Sequence, residues 1–328
     1  MLRSTWDCAF ADGREAELMG EGPERLLEAS GRLALDGVPV ASCFVEAPLS
    51  GESRYDSLVC HNPRHYSPGC RIADASLAQV QSAVDWVSGL TFKPFLHFEL
   101  DAAGEGTLSV IHCKIEGNLE IAEEFFRAVG EEKRTEAFVR TVNNLPEGWM
   151  CQYTGVFPGR TTNNTRMEVK PVGHKPRRLL CDPAYLKNCF DKIGFKAYDE
   201  NMLKDISRLA EIQNQISIQF DMLPDGTFLP VLSVLSLYEK GRPDNESLFG
   251  EDGMIRRTCE IYEEMGISDG RWRKIEPCLF SNRRYFFGSS GFEIWKQNCY
   301  PCCTKAKWIG ARKQPAKFYL LLDAMLLK

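Results

Sequence analysis

Residues 216–238 read ISIQFDMLPDGTFLPVLSVLSLY, and their pattern indicates two neighbouring strands. Polar and apolar residues alternate in Ile216 to Met222, as they do in strands that have one buried face. The turn sequence Pro224-Asp-Gly226 follows, which is a strong hairpin signal. We therefore predict an antiparallel pair, Ile216 to Met222 with Phe228 to Tyr238.

Four further strand pairs share this pattern, and each of the first four pairs along the chain is followed by one or two amphipathic helical stretches. Ten antiparallel strands with helices outside them predict an α+β protein, a closed barrel of ββαα repeats that has room for a ligand. The other pairs are Ala41 to Ala47 with Arg54 to Cys60, Phe95 to Leu100 with Thr107 to Ile115, Trp149 to Phe157 with Thr165 to Pro171, and Thr304 to Gly310 with Lys317 to Ala324.

The helices are predicted from their apolar spacing and their start signals. Asn118 is placed to cap one helix, and Asp182-Pro183 to open another that runs through Ile193. A helix is also predicted from Arg271 to Phe280. Residues 1–40 are expected to form an N-terminal helical segment or lid, with a helix between Pro23 and Leu35, and residues 41–328 the barrel domain.

Composition excludes several classes of protein. The chain has 328 residues and a net charge of −5 that is spread along it, so no basic face for nucleic acid is expected. No apolar run approaches the ~20 residues of a membrane span, and Met1 to Phe10 lack a secretory core. We expect a cytoplasmic protein with no membrane partner, whose 13 cysteines are reduced thiols.

Alternation within the strands separates a polar face from an apolar face. The amphipathic helices need an apolar surface to cover, so the polar face is predicted to line the barrel interior. The side chains assigned to this interior are Glu46, Arg54, Asp56, His97, Glu99, His112, Lys114, Arg166, Glu168, Lys170, Gln219, Tyr238, Lys307, Lys317 and Tyr319.

The cations of this set suit a phosphate or diphosphate, because arginine supplies forked donors and lysine a point charge. Salt bridges such as Arg166 with Glu168, or Lys114 with Glu99, are an alternative explanation that needs no ligand. His97 and His112 face each other across one hairpin, either as an acid/base pair or as ordinary interior histidines.

Short motifs accompany the strand repeat. They are Val45-Glu46-Ala47-Pro48, Ser53-Arg54-Tyr55, His112-x-Lys114, Arg166-x-Glu168-x-Lys170, Ser236-x-Tyr238 and Lys317-x-Tyr319. With the ββαα repeat, they make most of residues 41–328 resemble the ABBA-type aromatic prenyltransferases, the PT-barrel family that includes the dimethylallyltryptophan synthases. The chain departs from the family at Glu168, where a lysine is expected, and at Lys170, where a tyrosine is expected.

The resemblance implies a transferase that moves an allylic group from an isoprenoid diphosphate to an indole or phenol, free or in a peptide. Glu46 would then be the catalytic proton acceptor, and Tyr238 and Tyr319 would shield the allyl cation. The diphosphate would be bound by Arg54, Lys114, Arg166, Lys170 and Lys317. No metal is required, and magnesium is at most optional.

Three alternatives remain at this stage. The protein is either such an enzyme or a non-catalytic barrel that binds a peptide or an anionic metabolite in natural-product biosynthesis. Glu46 is either the proton acceptor or a surface or turn-capping carboxylate. Cys299-x-x-Cys302-Cys303 has the spacing of half a zinc or redox site, but a second such pair is absent from the sequence.

Overall fold

The computed structural model describes residues 1–11, 14–36, 38, 42–100, 108–158, 162–213, 215–238, 245–288 and 291–327. The strands are β1 Ser42–Pro48, β2 Asp56–Cys60, β3 Leu96–Leu100, β4 Leu108–Lys114, β5 Trp149–Val156, β6 Thr165–Pro171, β7 Ile216–Met222, β8 Phe228–Leu237, β9 Phe280–Gly288, β10 Gly291–Ile309 and β11 Arg312–Leu326. The helices are α1 Leu2–Ala9, α2 Arg14–Leu18, α3 Glu24–Arg32, α4 Ala78–Ser88, α5 Leu119–Ala128, α6 Thr135–Asn143, α7 His174–Leu179, α8 Pro183–Ile193, α9 Glu200–Ile212, α10 Asn245–Phe249 and α11 Met254–Glu264.

Ten of the strands form a closed antiparallel barrel, as predicted. Strands β1 to β8 follow one another in the sheet, β8 pairs with β10, and β10 pairs with β11. The circle is completed by β11 with β1, where Glu46 lies opposite Tyr319. The predicted α+β fold with its ten-stranded barrel is therefore confirmed.

The last part of the chain differs from the prediction. The segment predicted as a helix, Arg271 to Phe280, forms two short 3₁₀ turns instead, Arg271–Lys274 and Glu276–Cys278. Pro277 cannot donate a helical hydrogen bond, which explains the interruption. Strand β9 then pairs with the first half of the long strand β10, from Gly291 to Cys299. Strand β9 is therefore an additional strand that, among the described strands, pairs only with β10, and it is not one of the ten barrel strands.

The helices cover the outside of the barrel through aromatic contacts. The Asn118 side chain caps α5 at the Ile121 amide, and Asp182 caps α8, as predicted. The rings of Phe126 on α5 and Phe138 on α6 lie 5.2 Å apart, centroid to centroid. Helix α8 packs on β7 through the Phe190 and Phe220 rings, 5.6 Å apart. This outer layer is the main hydrophobic core.

The N-terminal helices pack on the same core. The Trp6 ring of α1 lies 5.2 Å from the ring of Tyr55, which directly precedes β2, and the Arg25 guanidinium of α3 lies 4.7 Å over that ring. The predicted boundary at residue 40 lies outside the described residues, so the division into 1–40 and 41–328 stays a prediction. Among the helices that the structure describes, none is long and apolar enough to cross a membrane.

Candidate functional site

The barrel interior contains two neighbouring cavities. The upper chamber has a volume of about 590 Å³, and the lower chamber has a volume of about 340 Å³. Both are lined by Glu46, Glu99, Arg166 and Lys305, which we call the charged layer. This layer crosses the interior between the two chambers, so a ligand in either chamber would contact it.

The predicted sidedness of the strands is confirmed. On β6, Arg166, Glu168 and Lys170 line the upper chamber, whereas Met167 and Val169 lie in the outer core. On β3 and β4 the interior side chains are His97, Glu99, His112 and Lys114. Because successive side chains of a strand point to opposite faces, one register of the barrel places all these polar groups inside.

Arg166 is held by acidic neighbours within the charged layer. Its Nε and Nη2 atoms donate to the two carboxylate oxygens of Asp221 at 2.9 and 3.1 Å, and its Nη1 lies 3.8 Å from Glu99 Oε2. Burial disfavours the charged guanidinium, but Asp221 and Glu99 outweigh that effect and raise the pKa of Arg166. The predicted pairing of Arg166 with Glu168 is wrong, because Asp221 is its direct neighbour in the β6–β7 register.

Glu99 completes this group. The His112 Nε2 atom lies 3.4 Å from Glu99 Oε2. Burial alone would raise the pKa of Glu99, but the contact with His112 and the positive charges of Arg166 and Lys305 hold it well below its usual range. Lys114 instead pairs with Glu116 at 2.6 Å, so the predicted Lys114 to Glu99 bridge is also wrong.

Lys317 lies between two carboxylates on neighbouring strands. Its Nζ is 2.9 Å from Glu46 Oε2 and 2.5 Å from Asp56 Oδ2. Burial opposes the ammonium charge, yet the two carboxylates raise the pKa of Lys317 above its usual value. Glu46 is buried and borders both chambers, so the surface or turn-capping alternative for Glu46 is wrong.

Two more lysines face the interior from β10. Lys305 is buried in the charged layer with its Nζ 3.2 Å from the Tyr319 hydroxyl, and Lys307 lines the lower chamber. No ion pair to a carboxylate is found for either ammonium in the described part of the chain. Burial lowers the pKa of Lys305, and burial followed by repulsion from Lys305 and Arg166 lowers the pKa of Lys307 to about 8.

Glu168 lies in the upper chamber and is satisfied by neutral donors. Its Oε1 accepts from Gln152 Nε2 and from Ser217 Oγ, the latter at 2.8 Å, and its Oε2 accepts from Gln219 Nε2 at 2.7 Å. Three hydrogen bonds to a buried carboxylate compensate much of its lost hydration. Lys170, two residues further along the strand, lines the same chamber, and partial burial lowers its pKa.

Arg54 is not in the chamber, contrary to the prediction. Strand β2 begins only at Asp56, and Arg54 lies in the preceding loop with an exposed side chain. The buried neighbour Tyr55 holds this loop against the N-terminal helices, since its hydroxyl donates to the Gly22 carbonyl at 3.0 Å. The lining of the two cavities therefore does not include Arg54.

The two predicted shielding tyrosines have different positions. Tyr319 lines the upper chamber beside Lys305, and burial raises its pKa well above the usual value. Tyr238 borders the chamber at the end of β8, but its hydroxyl is directed to the outer layer, 3.0 Å from the Thr304 hydroxyl that also contacts Tyr262 of α11. Leu235 and Leu237 provide the interior face of β8.

The cysteine motif is divided between the two faces of β10. Cys299 lies in the outer core, whereas Cys302 and Cys303 line the upper chamber. All 13 cysteines are free thiols. Within the described residues, no group of three or more His, Cys, Asp and Glu side chains is arranged to hold a metal ion.

The set of interior residues predicted from the sequence omits Lys305 and Asp221, although a signal for both existed. Lys305 has the same strand parity as Lys307, and Asp221 has the parity of Gln219. Cys302 and Cys303 are adjacent and yet both line the chamber, at a register shift between Pro301 and Cys303. Such a bulge breaks the period of two and cannot be deduced from alternation.

Comparison with known proteins gives structural relatives only. No protein-family model and no curated protein sequence matches the chain. The prenyltransferase PriB, solved in its apo form, superposes with a TM-score of 0.55 at 11% identity, covering 98% of this chain and 96% of its own. The 5-dimethylallyl tryptophan synthase of Streptomyces coelicolor, solved in complex with DMASPP and Trp, gives a TM-score of 0.50 at 12% identity, covering 98% and 92%.

The predicted resemblance is thus confirmed at the level of fold. The likeness to PriB extends over nearly the whole of both chains. The chain has the PT-barrel fold of the ABBA-type aromatic prenyltransferases.

Proposed function

We propose that the protein transfers an allylic group from an isoprenoid diphosphate to an electron-rich aromatic acceptor inside the barrel. The observation that carries this proposal is the pair of interior lysines, Lys305 and Lys307, which form no direct ion pair among the described side chains. Glu46 and Glu99 act on Lys305 only at longer range, and Asp221 acts on Lys307 in the same way. Buried ammonium groups are costly unless an anion compensates them. A diphosphate between the two chambers would supply that anion.

The charged layer supports a specific division of roles. Lys305, Lys307, Lys317 and Arg166 would bind the diphosphate, and would stabilise the negative charge that develops as the carbon–oxygen bond breaks and the bonding electrons leave with the diphosphate. Lys114 and Lys170, at the far end of the upper chamber, would attract the anion from a distance. Arg54, in its exposed loop, has no part in this arrangement.

The upper chamber supports the carbon chemistry. Tyr319, next to Lys305, would shield the allyl cation through its ring, and Tyr238 would be a second shielding ring at the border of the chamber. Phe44, His97 and Tyr153 provide an aromatic wall for the acceptor. After the acceptor ring forms a bond to the cation, Glu46 would receive the proton that the ring loses.

A non-catalytic barrel remains the second candidate, and one observation favours it. Arg166 and Lys317 are already paired with Asp221, Glu46 and Asp56. A prenyl diphosphate would have to compete with these carboxylates for Arg166 and Lys317. A less highly charged anion, bound without chemistry, could use Lys305 and Lys307 and leave those ion pairs intact.

Mass spectrometry after incubation with dimethylallyl diphosphate and a panel of indoles and phenols separates the two candidates. With one of the acceptors we expect a product that is about 68 Da heavier than the acceptor itself. Lys305→Met should form this product at least ~100-fold more slowly, because the loss of one electrostatic contact to the leaving group has about that effect. Glu46→Gln should reduce the rate of product formation by about tenfold or more. Lys204→Met, on the exposed face of α9, is the matched control. No product from any acceptor would favour the binding protein.

The pKa of Lys307 predicts a pH dependence for anion binding. With a pKa of about 8, Lys307 carries its charge below that pH and loses it above. We therefore expect the affinity for inorganic diphosphate to fall by about tenfold between pH 7 and pH 9.5, as one interior cation is lost. Calorimetric titration measures this change. The anion titrates too, so the comparison is with Lys307→Gln, in which the fall should be smaller; equal falls in both proteins would contradict the assignment.

A further inference from the structure

A second groove adjoins the upper chamber at the end of the barrel where Lys114 lies. This groove has a volume of about 580 Å³ and lies where β2, β3 and β4 meet their connections to the helices. Lys114, at the end of β4, lines both the groove and the upper chamber. The groove and the chamber therefore lie next to each other, on either side of Lys114.

Aromatic side chains connect the groove with the chamber. Phe95 lines the groove, its ring centroid lies 6.5 Å from that of His97, and His97 in turn lies 6.0 Å from Phe44 and 5.5 Å from Tyr153 inside the chamber. Phe92 also lines the groove and is 69% exposed, more than any other large hydrophobic side chain that the structure describes. Exposed aromatic groups beside a cavity are typical of a binding surface.

The polar lining of the groove is basic. Arg64, Lys93 and Lys114 line it, and within the described lining the only acidic side chain is Glu116, which pairs with Lys114 at 2.6 Å. Asn62 and Asn118 use their amide oxygens to cap the turns that follow them, so the amide NH₂ groups are the donors they have left. Donor amides and cations beside aromatic rings suit backbone carbonyls and carboxylates, and an isoprenoid chain would use neither.

We propose that the acceptor is a polypeptide segment: an aromatic residue enters the upper chamber, and acidic residues next to it in the sequence lie in the groove. For what happens to the aromatic residue, this inference rests on the proposed prenyl transfer. For binding, it stands on the groove alone.

The test is fluorescence anisotropy with three labelled peptides. The first contains Gly-Asp-Glu-Trp-Gly-Ser, the second has lysine in place of the two acids, and the third has serine in place of the tryptophan. We expect the first peptide to bind at least about tenfold more tightly than either of the others. The double variant Phe92→Ser/Phe95→Ser should bind the first peptide about tenfold more weakly than the wild type, a common effect of removing central aromatic contacts. Tyr285→Ser, an exposed aromatic on β9, is the matched control.

A second variant keeps the test independent of the aromatic positions. Arg64→Glu should weaken binding of the acidic peptide and strengthen binding of the lysine peptide, since it reverses one charge of the groove. Equal affinity of the wild-type protein for the acidic and lysine peptides overturns the proposal. An unchanged affinity of Phe92→Ser/Phe95→Ser for the acidic peptide also overturns it. The same holds if that variant binds the peptide normally but loses its affinity for farnesyl diphosphate.

The two proposals fail in different ways. If the protein prenylates N-acetyltryptophanamide but shows no binding preference for the acidic peptide, the proposed function stands and the proposed peptide groove is overturned. Selective binding of the acidic peptide with no prenylated product from any acceptor would retain the groove and remove the proposed transfer.

Discussion

Asp221→Asn should lower the free energy of unfolding by about 3 kcal/mol, because it leaves the buried Arg166 guanidinium without its main counter-charge. Asparagine has nearly the same shape as aspartate, so little of the loss would come from packing. The value lies at the lower end of the range for broken buried ion pairs because Glu99, 3.8 Å away, still faces the guanidinium. Urea unfolding at pH 7.5 measures the change.

The matched control is an exposed ion pair. Arg208 and Glu264 are paired on the surface, and Glu264→Gln should change the free energy of unfolding by less than about 1 kcal/mol. If Asp221→Asn had an equally small effect, Arg166 would have to be hydrated or paired elsewhere. Inorganic diphosphate should raise the melting temperature of Asp221→Asn more than that of the wild type, since the freed guanidinium gains a partner.

Acidification should destabilise the protein through His61. His61 is buried next to Tyr66 and Phe98, with ring centroids 5.8 and 5.3 Å away, and burial lowers its pKa from 6.5 to about 4. Between these values the unfolded chain binds a proton and the folded chain does not, so stability falls as the pH decreases from about 6.5 to about 4. At 1.36 kcal/mol per pKa unit, the expected loss is about 3 kcal/mol.

Replacement of His61 by phenylalanine isolates this contribution. Carboxylates titrate in the same range, so the informative quantity is the difference in unfolding free energy between His61→Phe and wild type, measured by urea unfolding at pH 7.5 and at pH 4. We expect that difference to shift by about 3 kcal/mol in favour of the variant. His65→Phe, at an exposed neighbouring position, should show no comparable shift. A constant difference for His61→Phe would show that the imidazole is protonated in the folded protein.

The sequence was sufficient for those parts of the fold that follow local rules. Alternation in Ile216 to Met222 and in Thr165 to Pro171 depends on one burial face per strand, and each face is occupied as predicted. Strand β9 and the first half of β10 escaped prediction because Gly291 to Lys296 are exposed or half-buried on both faces, which leaves no alternation to detect.

The partners within the site could not be predicted, because they depend on how strands from distant parts of the chain align. Arg166 pairs with Asp221 only because the β6–β7 register places them opposite each other, and the nearer candidate in sequence, Glu168, is taken by Gln152, Ser217 and Gln219. Arg54 has the interior parity, but the strand that would turn it inward begins two residues later. Between the two, Tyr55 packs on the N-terminal helices, and the local periodicity of the sequence does not record that contact.

The pairing of β1 with β11 has a consequence for biosynthesis. The Ser42 hydroxyl donates to an Asp323 carboxylate oxygen at a sequence separation of 281 residues, so β1 cannot pair on this side until β11 has been synthesised. We therefore expect the strands of the ionic interior to form an open, hydrated sheet during translation, which closes only after the final hairpin has left the ribosome. A nascent chain that stops before Arg312 would lack β11 and so would have two unpaired sheet edges, and we expect chaperones and proteases to recognise it.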